Sequence, residues 1–362
     1  MDGATLETDF ATELYEAALK WVEGAFPRSR RAACLADRDG AAEAVWAELA
    51  GLGLLGMMAP EPAGGIDAGA PEMVRVAEAF GRGLLTEPWG PVAVGAVALL
   101  RAAGDEVGLA ALAAGETRPV PAWTEPGRRW AQAPASVKID AEGRSSGAKT
   151  VVSGAAKADL VLVSALDSAG GIVVARVPAA PFRTRVHRCW DGADAAELAF
   201  DRAPAEVLLR GPEAASALSR ALDLMVLAAC GEALGAMERA LDLTLEHLRT
   251  RVQFGRPLAS NQALRHWLAE AWVEKELARA LVTRAAREFD GLPEAHRRRL
   301  VAAAKVQAGE AGRRMAEECV QMHGGIGVTE EAEISALHRR LVAIDLGFGP
   351  AAVQIARFRG AA

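Results

Sequence analysis

Arg251-Val252-Gln253-Phe254-Gly255-Arg256-Pro257 separates two long helical patterns, and what flanks it decides the fold. Before it, Leu234, Met237, Leu241, Leu245 and Leu248 recur at intervals of three or four, placing them on one face of a helix that ends near Arg251. A second helix is predicted after Ser260, with Leu264, Trp267, Leu268 and Ala271 on one face. A third spans roughly Leu300 to Met322 and runs into Gln321-Met322-His323-Gly324-Gly325-Ile326-Gly327. Residues 213–362 thus read as a helical bundle.

Upstream the pattern changes twice. From Pro119 to about Leu209 there are short β-branched runs, Val151-Val152, Leu160-Val161-Leu162-Val163 and Ile172-Val173-Val174, divided by turns such as Gly170-Gly171. Residues 119–212 are therefore expected to form a compact β-barrel or sandwich. Residues 1–118 read as helices, with Ala44 to Leu55 continuous and a strong break over Ala59-Pro60-Glu61-Pro62-Ala63-Gly64-Gly65. The order is helical domain, β domain, helical bundle: a mainly α chain with a central β domain.

Composition narrows the function classes. With 362 residues, 51% of them apolar, the chain can bury two or three packed layers. A net charge of −6 argues against a nucleic-acid footprint, and the basic triplet Arg297-Arg298-Arg299 is expected to decorate a helix. The longest apolar run, from Met225 to Leu234, contains Gly231 and Glu232, so no membrane-crossing span is expected. The acidic N-terminus lacks the order of a secretory signal, which predicts a cytoplasmic location. Cys34, Cys189, Cys230 and Cys319 lie far apart and fit reduced, mostly buried thiols. No metal site is expected, because the six histidines form no ligand-spaced pair.

Both quoted motifs resemble the flavin-contacting segments of the acyl-CoA dehydrogenase family, and the likeness runs through nearly the whole chain. Leu52-Gly53-Leu54-Leu55-Gly56 with the following Pro/Gly turn resembles the N-terminal helix and turn of that family. Thr124-Glu125-Pro126 resembles the start of its β domain, and Gly147-Ala148-Lys149-Thr150 with Ala158-Asp159 the hairpin beside the flavin. The resemblance implies the family's fold: an N-terminal helical domain, a small β-barrel and a C-terminal four-helix bundle. It also implies FAD bound across a subunit boundary, with Arg251, Gln253, Phe254, Gln321, Gly324 and Gly325 reaching a neighbour's cofactor. Arginine suits such a task because its planar fork holds two phosphate oxygens at once, and glycines let backbone approach closely. His323 is expected to pack or hydrogen-bond rather than act as a base. Thr124 and Ser153 are the expected contacts to the chain's own flavin. There the pattern departs from the family: Gly127-Arg128-Arg129-Trp130 replaces a small Gly-Ser-Asp type turn, and Val151 stands where an aromatic commonly packs on the isoalloxazine.

The family removes the α-proton of an acyl-CoA thioester with a glutamate at one of two positions. Counting from Gly324-Gly325 leads to Phe348, and counting back from Phe254 leads to Met225. Neither side chain carries oxygen. Asp223, Glu232 and Asp345 are the nearest acids, and Asp345, about one turn before Phe348, is the least badly placed substitute.

These signals imply a subunit for α,β-dehydrogenation of an acyl-CoA thioester that lacks the base and works beside a related subunit, two chains of each type. Bacterial enzymes that shorten steroid side chains are built this way, and an electron-transfer flavoprotein is the kind of acceptor the resemblance implies. Alternatives are a self-sufficient homo-oligomer using a displaced acid such as Asp345, and a flavin-free acyl-CoA-binding scaffold.

Overall fold

A computed structural model describes residues 9–36, 40–128, 130–179 and 183–360. Six helices come first: α1 (Asp9–Ala25), α2 (Arg28–Leu35), α3 (Ala41–Gly51), α4 (Ala70–Gly83), α5 (Val97–Ala102), entered through a π-helical turn at Gly90–Ala96, and α6 (Glu106–Ala113). Eight strands follow: β1 (Pro119–Ala122), β2 (Lys138–Ile139), β3 (Arg144–Ser153), β4 (Leu160–Leu166), β5 (Ile172–Pro178), β6 (Arg183–Arg188), β7 (Asp194–Pro204) and β8 (Glu206–Arg210). Helix α7 (Gly211–Thr250) then leads into a hairpin of β9 (Val252–Gln253) and β10 (Arg256–Pro257). After it come α8 (Gln262–Arg287), α9 (Glu294–His323), α10 (Glu333–Leu346) and α11 (Ala351–Phe358). The chain is mainly α with a central β region, as its sequence implies.

In space it sorts into two compact units that interleave in sequence. Unit one holds the chain up to Arg31, Ala70–Leu85 and everything from Val226. Unit two holds Ala32–Gly69 and Thr86–Met225.

The helical packing of unit one rests on backbone contact. A Cβ on Gly81 would lie 2.0 Å from the Glu232 carbonyl oxygen, and one on Gly235 would lie 1.8 Å from that of Glu78. Helices α4 and α7 cross this closely only because those positions have no side chain. Gly231 and Glu232, which break the apolar run in sequence, lie within the continuous helix α7. Glu232 pairs with Arg340, and α7 runs unbroken for 40 residues. By length and composition α7 is apolar enough to cross a membrane, as is Glu333–Phe358. The most apolar window of α7 is 78% buried within the fold, which marks a core helix, while Gly347–Pro350 separates α10 from α11 in the second stretch.

Unit two is built on one mixed sheet with strand order β6-β7-β3-β2-β4-β5-β8, and β1 runs parallel to β4. The expected barrel is realised as a sheet whose hydrogen-bonded path is open, ending at β6 and β8. All four β1 residues are buried, as suits a parallel strand covered on both faces. Strand β3 is irregular between Lys149 and Val152, where the register against β7 shifts. There Val151 adopts φ +53° and stands 64% exposed.

Several expected boundaries move. Helix α3 ends at Gly51 rather than Leu55, because Gly53 takes φ +71° and the Leu54 N–H turns back to the Leu49 carbonyl. Helix α9 starts at Glu294, directly after Pro293, with Arg297 buried over the Phe289 ring at 5.2 Å. Leu234, Met237, Leu241 and Leu248 are buried as expected of one helix face, whereas Leu245 and Trp267 are exposed. Of the four thiols, Cys34, Cys230 and Cys319 are buried, and none of the four forms a disulfide among the described residues. Burial pushes Cys230 up to about 12 and Cys319 to about 11, the latter against a lowering hydrogen bond from Thr244.

Candidate functional site

The motif after α7 forms a two-residue hairpin. Gln253 pairs with Arg256 and Val252 with Pro257, while Phe254 and Gly255 both take positive φ (+51° and +74°). Positive φ at both central residues is the geometry of a type I′ turn, which suits glycine but strains phenylalanine. The Phe254 ring is fully exposed at this tip. A strained, wholly exposed aromatic gains nothing from its own chain, so its worth lies in what approaches it. Arg251 and Gln253 are exposed beside it. The Arg251 backbone is fixed, its N–H bonding the His247 carbonyl and its own carbonyl accepting from Leu258. Its guanidinium joins no ion pair among the described residues.

The second motif sits where α9 ends. Gly324 adopts φ +66°, ψ −146°, closing the helix onto the Gln321 and Val320 carbonyls. A Cβ on Gly325 would meet open space, and Gly325 does not take positive φ. Nothing in the chain itself demands glycine there, which is the pattern of backbone left bare for a ligand. Gln321 is exposed at the same helix end.

The structure brings these two motifs together through a contact that sequence reasoning did not anticipate. His247, one turn before Arg251, stacks on His323, two residues after Gln321, with ring centroids 4.5 Å apart. His323 Nδ1 donates to the Cys319 carbonyl at 2.8 Å, fixing that ring. Burial lowers the His247 pKa, and the neighbouring His323 and Arg251 lower it further. Position 247 carries no family signal, so only the helical register could have shown the pair.

In unit two, Thr124 and Ser153 are both half-buried. The Thr124 carbonyl accepts from the Thr150 N–H at 2.9 Å, which holds it beside the end of β3 that carries Ser153. Beneath Thr124 lies a second missed feature. The Glu125 carboxylate accepts from Lys149 Nζ (3.0 Å) and from the N–H groups of Ala135, Ser136 and Val137. Lys149 Nζ also reaches the Trp123 carbonyl and Ser164 Oγ. Burial alone would raise Glu125, but Lys149 and Ser136 outweigh it and hold the carboxyl at about 2. Burial also pulls Lys149 down to about 8 against the attraction of Glu125. The two charges lie 24 residues apart in polar surroundings, so nothing local in the sequence marks them as a buried pair.

At the two positions that the resemblance implies for the base, Met225 is 2% exposed and its sulfur fills the space over Gly95, where a Cβ would lie 2.4 Å away. Phe348 sits at φ +59° with its carbonyl bonded by Gln354 Nε2 (2.7 Å) and Arg357 Nη1 (3.1 Å). Asp345 is buried: its carboxylate meets Arg313 Nε at 3.3 Å and its carbonyl accepts from Lys305 Nζ. Asp223 is buried on α7.

Residues 8–108 match the acyl-CoA dehydrogenase N-terminal domain and residues 215–359 its C-terminal domain. The chain belongs to the acyl-CoA dehydrogenase family. Acyl-CoA dehydrogenase FadE34 of Mycobacterium tuberculosis (strain ATCC 25618 / H37Rv) is 28% identical over 309 residues, 82% of this chain and 39% of FadE34. The chain thus spans about two fifths of that curated relative. Among solved structures, the Tcur3481-Tcur3483 steroid ACAD G363A variant is 28% identical with TM-score 0.88, covering 99% of this chain and 98% of that one. The ChsE4-ChsE5 complex from Mycobacterium tuberculosis is 26% identical with TM-score 0.87 over the same shares.

Acyl-CoA dehydrogenases bind FAD, and the two surfaces of this chain that the resemblance implies for it suit it unequally. An exposed guanidinium without a counter-ion, an exposed aromatic and bare glycine backbone fit a diphosphate that carries flat rings. In unit two the turn after Thr124 carries bulky Arg128 and Trp130, the latter at φ +62°, and Val151 offers no ring. That surface does not fit a tightly held isoalloxazine.

Proposed function

We propose that this chain is one subunit of a heteromeric, FAD-dependent acyl-CoA dehydrogenase acting on the side chain of a steroid CoA thioester. In that reading its partner holds the flavin and the base. The observation that carries it is the contrast just described: oxygen-free Met225 and Phe348 at both implied base positions, against an exposed hairpin, Arg251-Val252-Gln253-Phe254, that is strained at Phe254. Full-length likeness to a steroid ACAD and to the ChsE4-ChsE5 complex supports the same reading.

When bound, FAD supplies the acceptor for the hydride that leaves Cβ as a base removes the α-proton. This chain's own contribution is to hold that cofactor. Arg251 would neutralise phosphate charge, Gln321 and Gln253 would offer amide hydrogen bonds, and Phe254 and the glycine turn would pack beside the cofactor. No proton transfer falls to Met225 or Phe348, since neither can accept one. Asp345 is tied to Arg313, Lys305 and α9, as a structural acid would be.

The deciding experiment purifies the chain alone and with a related dehydrogenase subunit, recording the flavin spectrum and acyl-CoA-dependent dye reduction in each. Flavin and turnover are expected only in the complex. Stoichiometric flavin with turnover in the isolated chain would overturn the proposal.

A further inference from the structure

We propose that unit one holds a second ligand site, made of residues outside the flavin-contact motifs, for a phosphate monoester carrying a small apolar body. A cavity of about 320 Å³ opens among the C-terminal ends of α1 and α4, helix α2, the middle of α7 and helix α10. That volume lies at the lower end of what small-ligand sites occupy.

Five guanidinium groups line it: Arg28, Arg31, Arg82, Arg239 and Arg339. Two are matched by carboxylates. Arg239 is forked on Glu333 at 2.7 and 2.9 Å, and Arg82 reaches Asp242 at 2.7 Å. Arg28 and Arg339 join no ion pair among the described residues. Arg28 Nη2 donates only to the main-chain carbonyl of Glu330 at 3.2 Å, which orients the guanidinium without cancelling its charge. Arg31 Nε also donates to the Leu84 carbonyl at 3.1 Å. The carboxylates nearest the mouth are exposed: Glu23 stands 4.0 Å from Arg82, and Glu330 is on the surface.

Part of the lining is apolar. Val22, Phe26 and Leu84 are buried there, and that part is held in an unusual conformation. Helix α4 ends in Leu84 at φ +54°, a strained setting for a branched side chain. That turn aims the Leu84 carbonyl at Arg31 and its side chain into the cavity lining. Gly83 allows it to sit so low, since a Cβ there would lie 2.4 Å from Val22. A pocket lined both by guanidinium groups and by a strained apolar turn selects for an anion attached to hydrocarbon. Forks of this kind match phosphoryl oxygens best, and a phosphate monoester carries nearly two charges at neutral pH, against one for a carboxylate.

The test titrates phenyl phosphate into the purified protein, in complex with its partner where one co-purifies, and reads binding by calorimetry at about pH 7.5. Benzoate and inorganic phosphate are titrated alongside. Saturable binding of phenyl phosphate is expected, tighter than either comparison ligand. Arg339→Gln and Arg28→Gln should each weaken it about tenfold, the scale of one charge-assisted hydrogen bond. Arg284→Gln, which removes an exposed cation elsewhere on α8, should leave it unchanged. Circular dichroism of each variant separates lost binding from lost folding, and Arg28, being exposed, provides the variant least apt to disturb the fold. Absence of saturation would overturn the site. Equal binding of inorganic phosphate would overturn the role of the apolar wall, and equal binding of benzoate the choice of a phosphate head. None of these results touches the heteromer proposal, which stands or falls on flavin and turnover.

Discussion

The imidazoles of His247 and His323 stack with centroids 4.5 Å apart and planes 21° from parallel, joining the end of α7 to the end of α9. This contact fixes the spacing between the Arg251 hairpin and the Gln321 glycine turn, the two groups proposed to share one cofactor. It also makes that spacing sensitive to protons. The folded-state pKa of His247 lies below its ordinary 6.5, so above 6.5 the folded form carries no penalty. As pH falls below that value the unfolded chain takes up the proton more readily, and stability is lost. Denaturant midpoints measured between pH 8 and pH 5 should fall on acidification. His247→Phe, which keeps a ring in the stack, should flatten the profile. An unchanged profile in that variant would remove His247 from the account.

Arg251 has the opposite character, an exposed cation whose backbone is fixed and whose head is idle. Arg251→Ala should leave thermal stability within about 0.5 kcal/mol of the parent, as for other surface substitutions. In the reconstituted complex it should weaken flavin retention by about tenfold or more, the scale of a lost charge-assisted contact. The readout is the fraction of flavin kept through gel filtration. Equal retention would count against the outward-facing assignment.

The β domain depends on a charge pair that contributes through position rather than net attraction. Glu125 is 3% exposed and Lys149 is fully buried, and between them they satisfy three backbone N–H groups, a carbonyl and Ser164. Lys149→Met strands a buried carboxylate and should cost about 3–5 kcal/mol. Adding Glu125→Gln to that variant removes the stranded charge while keeping an acceptor, so part of the loss should return. Urea melts of the single and double variants supply the check, and additive losses would show that the two residues are not coupled.

The helices of the bundle were legible because Leu234, Met237, Leu241 and Leu248 keep one period over four turns, and burial follows that period. The interior ends were less so. Gly231 and Glu232 break the apolar run in sequence, yet the glycine meets α4 and the glutamate meets Arg340, two tertiary facts with no local sign. The hairpin tip at Phe254-Gly255 was readable as a motif, while its backbone strain was not, since a type I′ turn is foreign to phenylalanine by propensity. The interleaving of α4 with the C-terminal helices left no trace in composition. Nor could the arginine cavity be seen, because its five cations come from four separated helices.

Met225 offers the sharpest test of the base question. Its sulfur fills the space over Gly95, and the residue is buried. Met225→Glu would place a carboxyl at one of the two implied base positions. In these surroundings the charged form is disfavoured, so the new group should titrate well above the ordinary carboxylate range and remain protonated near neutrality. Burying it without a partner should cost about 1–3 kcal/mol. Dye reduction by the isolated variant is therefore expected to stay at background, because the surface around Thr124 and Ser153 would still lack a flavin cradle. Turnover by Met225→Glu alone, with bound flavin, would mean that this chain retains a complete site of its own and that only the carboxylate had been lost.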